Sequence, residues 1–137
     1  MAQTDGRQMV ERLVAATNSH DLDALVACFD EDYVNETPVH PGRGFRGRDQ
    51  VRRNWEQIFT FVPDVRATVI RSVDDGAMVW SEWEMTGTRG DGSSHHLRGV
   101  IMFSVQGGTA RSARFYLEPV DDQPADVDTA VRDQVVR

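Results

Sequence analysis

The chain has 137 residues, of which 39% are hydrophobic and 27% charged, the composition of one globular domain with a single core. Its 22 acidic residues outnumber 15 basic ones for a net charge of −7, and every basic residue is arginine. No lysine is available for a Schiff base or a phosphate-binding loop, the acidity speaks against a nucleic-acid partner, and no apolar run reaches the ~18–20 residues of a membrane span.

The start, Met1 to Gly6, is polar and carries no signal-peptide pattern. Met9, Val10, Leu13, Val14 and Thr17 recur at helical spacing and predict a first helix. Asn18, Ser19 and His20 break it. Asp21 is placed to cap a second, shorter helix whose apolar stripe is Leu22, Leu25, Val26 and Phe29. Cys28 beside that stripe reads as a packed core thiol. As the single cysteine it forms no disulfide within the chain, which fits a cytoplasmic protein. Tyr33 to Val39 reads as a short extended segment that Pro38 and Pro41 confine to a sheet edge. A glycine-rich loop, Pro41 to Gly47, leads into a third helix from about Arg48 to Phe61. Val51, Trp55, Ile58 and Phe59 share one face of it, and Pro63 stops it.

From Val65 the apolar period changes to two. Four β-rich runs are expected, Val65–Val73, Ala77–Thr88, His95–Gln106 and Thr109–Pro119, separated by glycine-bearing turns. Short turns between sequential strands predict an antiparallel meander. Helices first and strands after give an α+β class. Residues 120–137 form an acidic tail, where Val127, Val131 and Val135 recur every four residues after Pro124. A short helix there is the alternative to a frayed end.

Several motifs have a bland reading beside a chemical one. Gly42 to Gly47 spells G-x-G-x-x-G, but no buried parallel strand precedes it and no βαβ unit follows, so a dinucleotide site is not expected. Arg43, Arg46, Arg48, Arg52 and Arg53 crowd the same region, as an anion clamp or as a solvated, salt-bridged face. His20, His40, His95 and His96 match no metal spacing, and neither metal nor cofactor is expected. Glu82 and Glu84 share a strand face with Trp80, as an acid–base pair or as partners of Arg98 and Arg114. Strand parity puts Val79, Ser81, Trp83 and Met85 on one face with Leu97, Ile101, Phe103, Phe115 and Leu117. That apolar face should meet the helices. The other face mixes Trp80, Glu82, Glu84, His96, Arg98, Met102, Arg114 and Tyr116, the character of a dimer surface.

The layout resembles the nuclear-transport-factor-2-like superfamily, and within it the SnoaL-like group, over nearly the whole chain to Pro119. The anchors are Leu13 to Asn18 with His20 to Leu25, Phe45-Arg46-Gly47-Arg48, Val62-Pro63-Asp64 and Arg114-Phe115-Tyr116. The resemblance implies one domain over residues 1–119: a cone-shaped α+β fold with three N-terminal helices packed on a curved, mainly antiparallel sheet. The polyketide cyclases, ketosteroid isomerases and limonene epoxide hydrolases of this superfamily suggest catalytic positions to test. Where the isomerases carry a Tyr, a general-base Asp and a protonated Asp, this chain has Leu13, Thr37 and Ile101. Where cyclases carry an Asp and a His, it has Phe115 and Ile101. The Asp-Arg-Asp relay of the epoxide hydrolases falls on Trp83, Met85 and Phe115. Their water-holding Tyr and Asn match Tyr33 and Asn35.

By alternation Tyr33, Asn35 and Thr37 point the same way, into a cavity between helices and sheet. The resemblance adds Trp55 as a pocket aromatic and Leu13, Phe59, Ser81, Trp83, Ile101 and Phe115 as lining. The expected result is an apolar, aromatic pocket with a small polar end, suited to a hydrophobic ligand. One expected function is an isomerase, cyclase or hydrolase acting on a hydrophobic metabolite, with Tyr33 and Asn35 orienting substrate or water and Glu36 or His40 as acid–base candidates. The alternative is a non-catalytic ligand-binding or accessory protein that keeps the cavity without the acid–base groups. A third is a dimerisation module with a filled cavity. A homodimer through the outer sheet face is expected in each case. The discriminating feature is whether an ionisable group reaches the pocket.

Overall fold

A computed structural model describes residues 5–123 and 125–136. Residues 1–4, Pro124 and Arg137 lie outside the described residues, and with them most of the polar start and the proline ahead of the tail helix. Among the described residues the fold is α+β, with four helices and one six-stranded mixed sheet that does not close on itself. No helix among the described residues is long and apolar enough to cross a membrane.

Helix α1 (Asp5–Asn18) buries Met9, Val10, Leu13 and Thr17 of the predicted stripe; Val14 is only half-buried, and Ala16, outside that stripe, is buried instead. It ends where His20 takes a positive φ of 55°. The His20 and Asp21 N–H groups turn back to the Thr17 and Ala16 carbonyls, satisfying the end of the helix. The corner is pinned from outside. Asn18 donates to the Ala67 carbonyl at 2.9 Å and accepts from the Ala67 N–H at 2.7 Å. His20 Nε2 lies 2.9 Å from the Val65 carbonyl. Asp21 caps helix α2 (Leu22–Val26) by accepting from the Ala24 N–H.

The helical stripe expected to run on to Phe29 stops short. Phe29 opens strand β1 (Phe29–Glu36), because the Cys28 carbonyl is drawn to the Ala110 N–H at 2.8 Å. Nor is β1 an edge strand. On one side Val34 and Asn35 pair antiparallel with the two-residue strand β2 (Phe45–Arg46). On the other it runs parallel to strand β6 (Thr109–Pro119), with Asn35 beside Ala113 and Glu36 beside Arg114. The prolines cannot force β1 to the edge, since Pro38 lies past its last residue. Helix α3 (Arg48–Phe61) follows β2 directly.

Strands β3 (Arg66–Asp74), β4 (Val79–Thr88), β5 (Ser94–Gln106) and β6 form the expected meander, in the sheet order β2-β1-β6-β5-β4-β3. Parity sorts burial as expected: Val79, Ser81, Trp83, Met85, Ile101, Phe103 and Ala113 are buried. They pack with α1, Leu25 and Tyr33 into one core. In the tail, α4 (Val127–Val135) is capped by Asp126, and Val127, Val131 and Val135 are exposed.

One glycine in the sheet is structurally required. Gly99 sits between Trp83 and Leu117 in register, with φ at +152°, and a Cβ there would lie 2.0 Å from the Tyr116 carbonyl oxygen. Gly90 faces open space. Gly99→Ala is expected to cost at least about 2 kcal/mol in chemical denaturation, from backbone strain and overpacking, while Gly90→Ala stays within about 0.5 kcal/mol. Equal effects of the two substitutions would contradict this account of the sheet.

Candidate functional site

The polar constellation of β1 lies at one end of the sheet. Tyr33, Asn35 and Thr37 do share a side, and they are wired to one another. The Tyr33 hydroxyl donates to Asn35 Oδ1 at 2.7 Å, and Asn35 Nδ2 donates to Thr37 Oγ1 at 3.3 Å. Tyr33 is 1% exposed, and burial pushes its phenol well above the ordinary value. It therefore stays a protonated donor at physiological pH.

These groups form the polar end of a pocket of about 240 Å³. Phe29 of β1 and Phe115 and Leu117 of β6 give it apolar walls. Phe45 of β2 and Val51 of α3 complete them, and Arg43 and Asn54 add polar groups. The aromatic rings brace one another: Phe29 meets Tyr33 edge-on at 4.8 Å, and Tyr33 meets Phe45 at 6.0 Å. A volume of this size is below the ~300–1,000 Å³ of drug-sized sites. A larger groove, about 600 Å³, runs between α1 and β3. Both are open to solvent, but the groove's Asn18 amide is already committed to the Ala67 backbone, while the β1 pocket keeps polar groups free for a ligand.

The structure brings Tyr33, Asn35, Thr37 and Phe115 together and puts the other expected lining residues elsewhere. Leu13, Ser81, Trp83 and Ile101 are core residues, each at most 5% exposed. The Trp83 indole N–H donates to Ser81 Oγ at 2.7 Å, and Ser81 donates to the Ile101 carbonyl at 2.8 Å. That relay satisfies a buried indole in the middle of the domain. Trp55 and Phe59 meet at a tilt along α3, with ring centroids 5.5 Å apart, and Phe59 stacks on the His20 ring at 4.9 Å.

Phe29, Arg43, Phe45, Val51, Asn54 and Leu117 were not expected in the lining. The α3 stripe explains two of them. Steps of four residues advance about 40° around a helix, so Val51, Trp55 and Phe59 turn progressively away from the pocket. Asn54, three residues on from Val51, turns about 60° in the opposite direction and lines the pocket. Arg43 belongs to the glycine-rich loop, where a 3-10 turn over Pro41–Arg43 precedes β2.

The acid–base candidates lie outside the pocket lining. Glu36 faces Arg114 at 3.8 Å and lines a neighbouring cavity of about 300 Å³ that shares Asn35 and Thr37. His40 Nε2 is 2.6 Å from Glu118. On the outer sheet face, Glu82 pairs with Arg71 at 3.3 Å, and Glu84 pairs with His96 at 2.7 Å and Arg98 at 3.5 Å. The His96 hydrogen bond holds the Glu84 carboxyl below its ordinary value, which suits an ion-paired face better than a proton donor. Of the crowded arginines, Arg52 pairs with Asp23 at 3.0 Å and Arg53 donates to Gln50 at 2.6 Å. Burial pushes the Cys28 thiol up, as expected of a core residue and not of a nucleophile. Among the described residues no three His, Cys, Asp or Glu side chains converge as a metal site requires.

Solved structures share this architecture. The chain is similar to IdmH, a candidate polyketide cyclase from Streptomyces antibioticus, at 23% identity and a TM-score of 0.72, covering 84% of this chain and 93% of that one. It is similar to an epoxide hydrolase of limonene-epoxide-hydrolase-like type from M. tuberculosis, at 21% identity and a TM-score of 0.71, covering 83% of each chain. It is also similar to a protein of ketosteroid isomerase-like fold from Catenulispora acidiphila, solved with trimethylamine, at 17% identity and a TM-score of 0.69, covering 80% of this chain and 85% of that one. At these identities the likeness is one of fold. No curated protein matches the sequence significantly. The family model of the SnoaL-like domain matches residues 10–113, most of the chain. The chain therefore belongs to the SnoaL-like family.

Proposed function

We propose that the chain binds a compact, largely apolar small molecule in the pocket between β1, α3 and β6, and serves as a binding or accessory protein, not as an acid–base catalyst. One observation carries this reading: among the described residues, no carboxylate, imidazole or thiol lines the pocket. Isomerisation and cyclisation next to a carbonyl, like water addition, need a group that takes or gives a proton near neutral pH. Tyr33 is held protonated by burial, and an arginine such as Arg43 keeps its proton. On this reading Tyr33, Asn35 and Thr37 orient the ligand, and Phe115 packs against its apolar body.

A second reading, an isomerase, cyclase or hydrolase, has one observation in its favour. Glu36 lines the cavity that adjoins the pocket through Asn35 and Thr37. There it could act on a ligand that spans both spaces.

The outer sheet face fits a homodimer interface. Trp80 is 43% and Val73 62% exposed, and they stand side by side across β3 and β4. The ion-paired charges around them include Arg71, Glu82, Glu84 and Arg98. An exposed aromatic with paired arginines is the composition of an interface and not of a solvated face. The single, buried thiol Cys28 suits the reducing cytoplasm.

Three outcomes test these readings. A panel of small hydrophobic compounds should raise the Tm of the wild type by mass action, and Phe115→Ala should weaken the best binder at least about ten-fold through lost apolar contact; a panel without any shift contradicts the binding reading. Mass spectrometry after incubation with small epoxides and β-keto acids should show no turnover. Turnover that Glu36→Gln abolishes would establish the catalytic reading instead. Sedimentation velocity should give a dimer for the wild type and a monomer for Trp80→Glu, and a monomeric wild type would dispose of the interface.

A further inference from the structure

At one side of the β1 pocket the polar groups offer hydrogens, and a hydrogen-bond relay on α3 sets that polarity; the Tyr33 hydroxyl, whose hydrogen goes to Asn35, offers only lone pairs. A guanidinium can only donate. Arg53 Nη2 donates to Gln50 Oε1 at 2.6 Å, which fixes the Gln50 amide so that its nitrogen faces onward. Gln50 Nε2 then donates to Asn54 Oδ1 at 2.8 Å. Asn54, which lines the pocket, has its oxygen occupied and its Nδ2 hydrogens left to give.

The β1 relay ends the same way. Asn35 Oδ1 is taken by Tyr33, and Thr37 Oγ1 accepts from Asn35 Nδ2, so the Thr37 hydroxyl keeps its own hydrogen. Arg43 completes the set. It lines the pocket, its side chain is exposed, and among the described residues no carboxylate lies within ion-pair distance of it. Arg46, three positions further on, does not line the pocket.

We infer that the pocket selects a small monocarboxylate with a compact aromatic or branched apolar body. Its carboxylate sits against Arg43 and Asn54, and its body lies against Phe45, Val51, Phe115 and Leu117. The inference rests on the reading of this pocket as a ligand site and adds the chemical class. A carboxylate is acceptor-only and matches the guanidinium fork. A neutral amide or alcohol seated there sets its own donor against the Arg43 guanidinium and the Asn54 NH2, neither of which accepts, and leaves a donor unpaired, which is the stronger source of discrimination. The charge also balances locally: the lining holds one cation and no acid among the described residues. The chain as a whole carries −7, so its overall field does not attract anions. Selection for an acid must come from the pocket itself.

Calorimetric titration with phenylacetate and phenylacetamide, at pH 7 and fixed ionic strength, tests this. The two share a body and differ in charge. The wild type should bind phenylacetate at least about ten-fold more tightly, the scale of one charge-assisted hydrogen bond. Arg43→Gln should erase that preference while leaving phenylacetamide binding within about two-fold, and Arg46→Gln should change neither. Asn54→Asp, which keeps an acceptor for Gln50 and replaces the free donor, should lower phenylacetate affinity with the Tm intact. Equal binding of acid and amide, or a preference that survives Arg43→Gln, overturns the inference and leaves the ligand site standing. Silence of both probes and of the hydrophobic panel overturns the ligand site and the inference together.

Discussion

The parallel pairing of β1 with β6 is the contact on which the site depends. It joins residues far apart in sequence, Asn35 beside Ala113 and Glu36 beside Arg114. The whole of α3 and the β3–β5 meander lies in the chain between them. The Cys28–Ala110 hydrogen bond starts the pairing, and the register shift between Phe29 and Val34 absorbs the mismatch that follows. β1 then carries Tyr33, Asn35 and Thr37 to the same wall as Phe115 and Leu117. Without that pairing the polar relay of β1 would lose the Phe115 and Leu117 wall of its pocket.

The centre of the domain is filled. Trp83, Ile101 and Phe103 occupy the space between α1 and the sheet, and the Ser81 relay makes burial of the indole affordable in hydrogen-bonding terms. What remains open is the end framed by β1, β2 and α3. A filled core and a small eccentric pocket fit a ligand of modest size better than a fused-ring metabolite. The polarity of the pocket follows from groups that cannot reverse: Arg53 sets Gln50, and Gln50 sets Asn54.

Much of this was legible in the sequence, and what was not has a physical cause. Period-two alternation placed Ser81, Trp83 and Ile101 on the inner face, because side-chain direction in a strand is local. The Asp21 cap and the stop of α3 before Pro63 are also local. The β1–β6 pairing was not legible, since parallel partners distant in sequence leave no turn signature. Prolines at 38 and 41 suggested an edge that the strand, ending at Glu36, never reaches. The resemblance put Ser81 and Trp83 in a cavity wall, where packing made them core. Arg43 stood inside a glycine motif and an arginine cluster, and only the fold of the loop separates it from Arg46. The α3 stripe was read as one face, though its 40° drift sends Trp55 and Phe59 towards His20.

The central claim is that the ligand site is the β1–α3–β6 pocket and not the α1–β3 groove. Two-dimensional NMR of the protein labelled at Phe, Val and Leu, titrated with phenylacetate, addresses it most directly. The account predicts saturable shifts concentrated at Phe29, Phe45, Val51, Phe115 and Leu117. Shifts confined to Val10, Val14 and Val69, which line the groove, would contradict it.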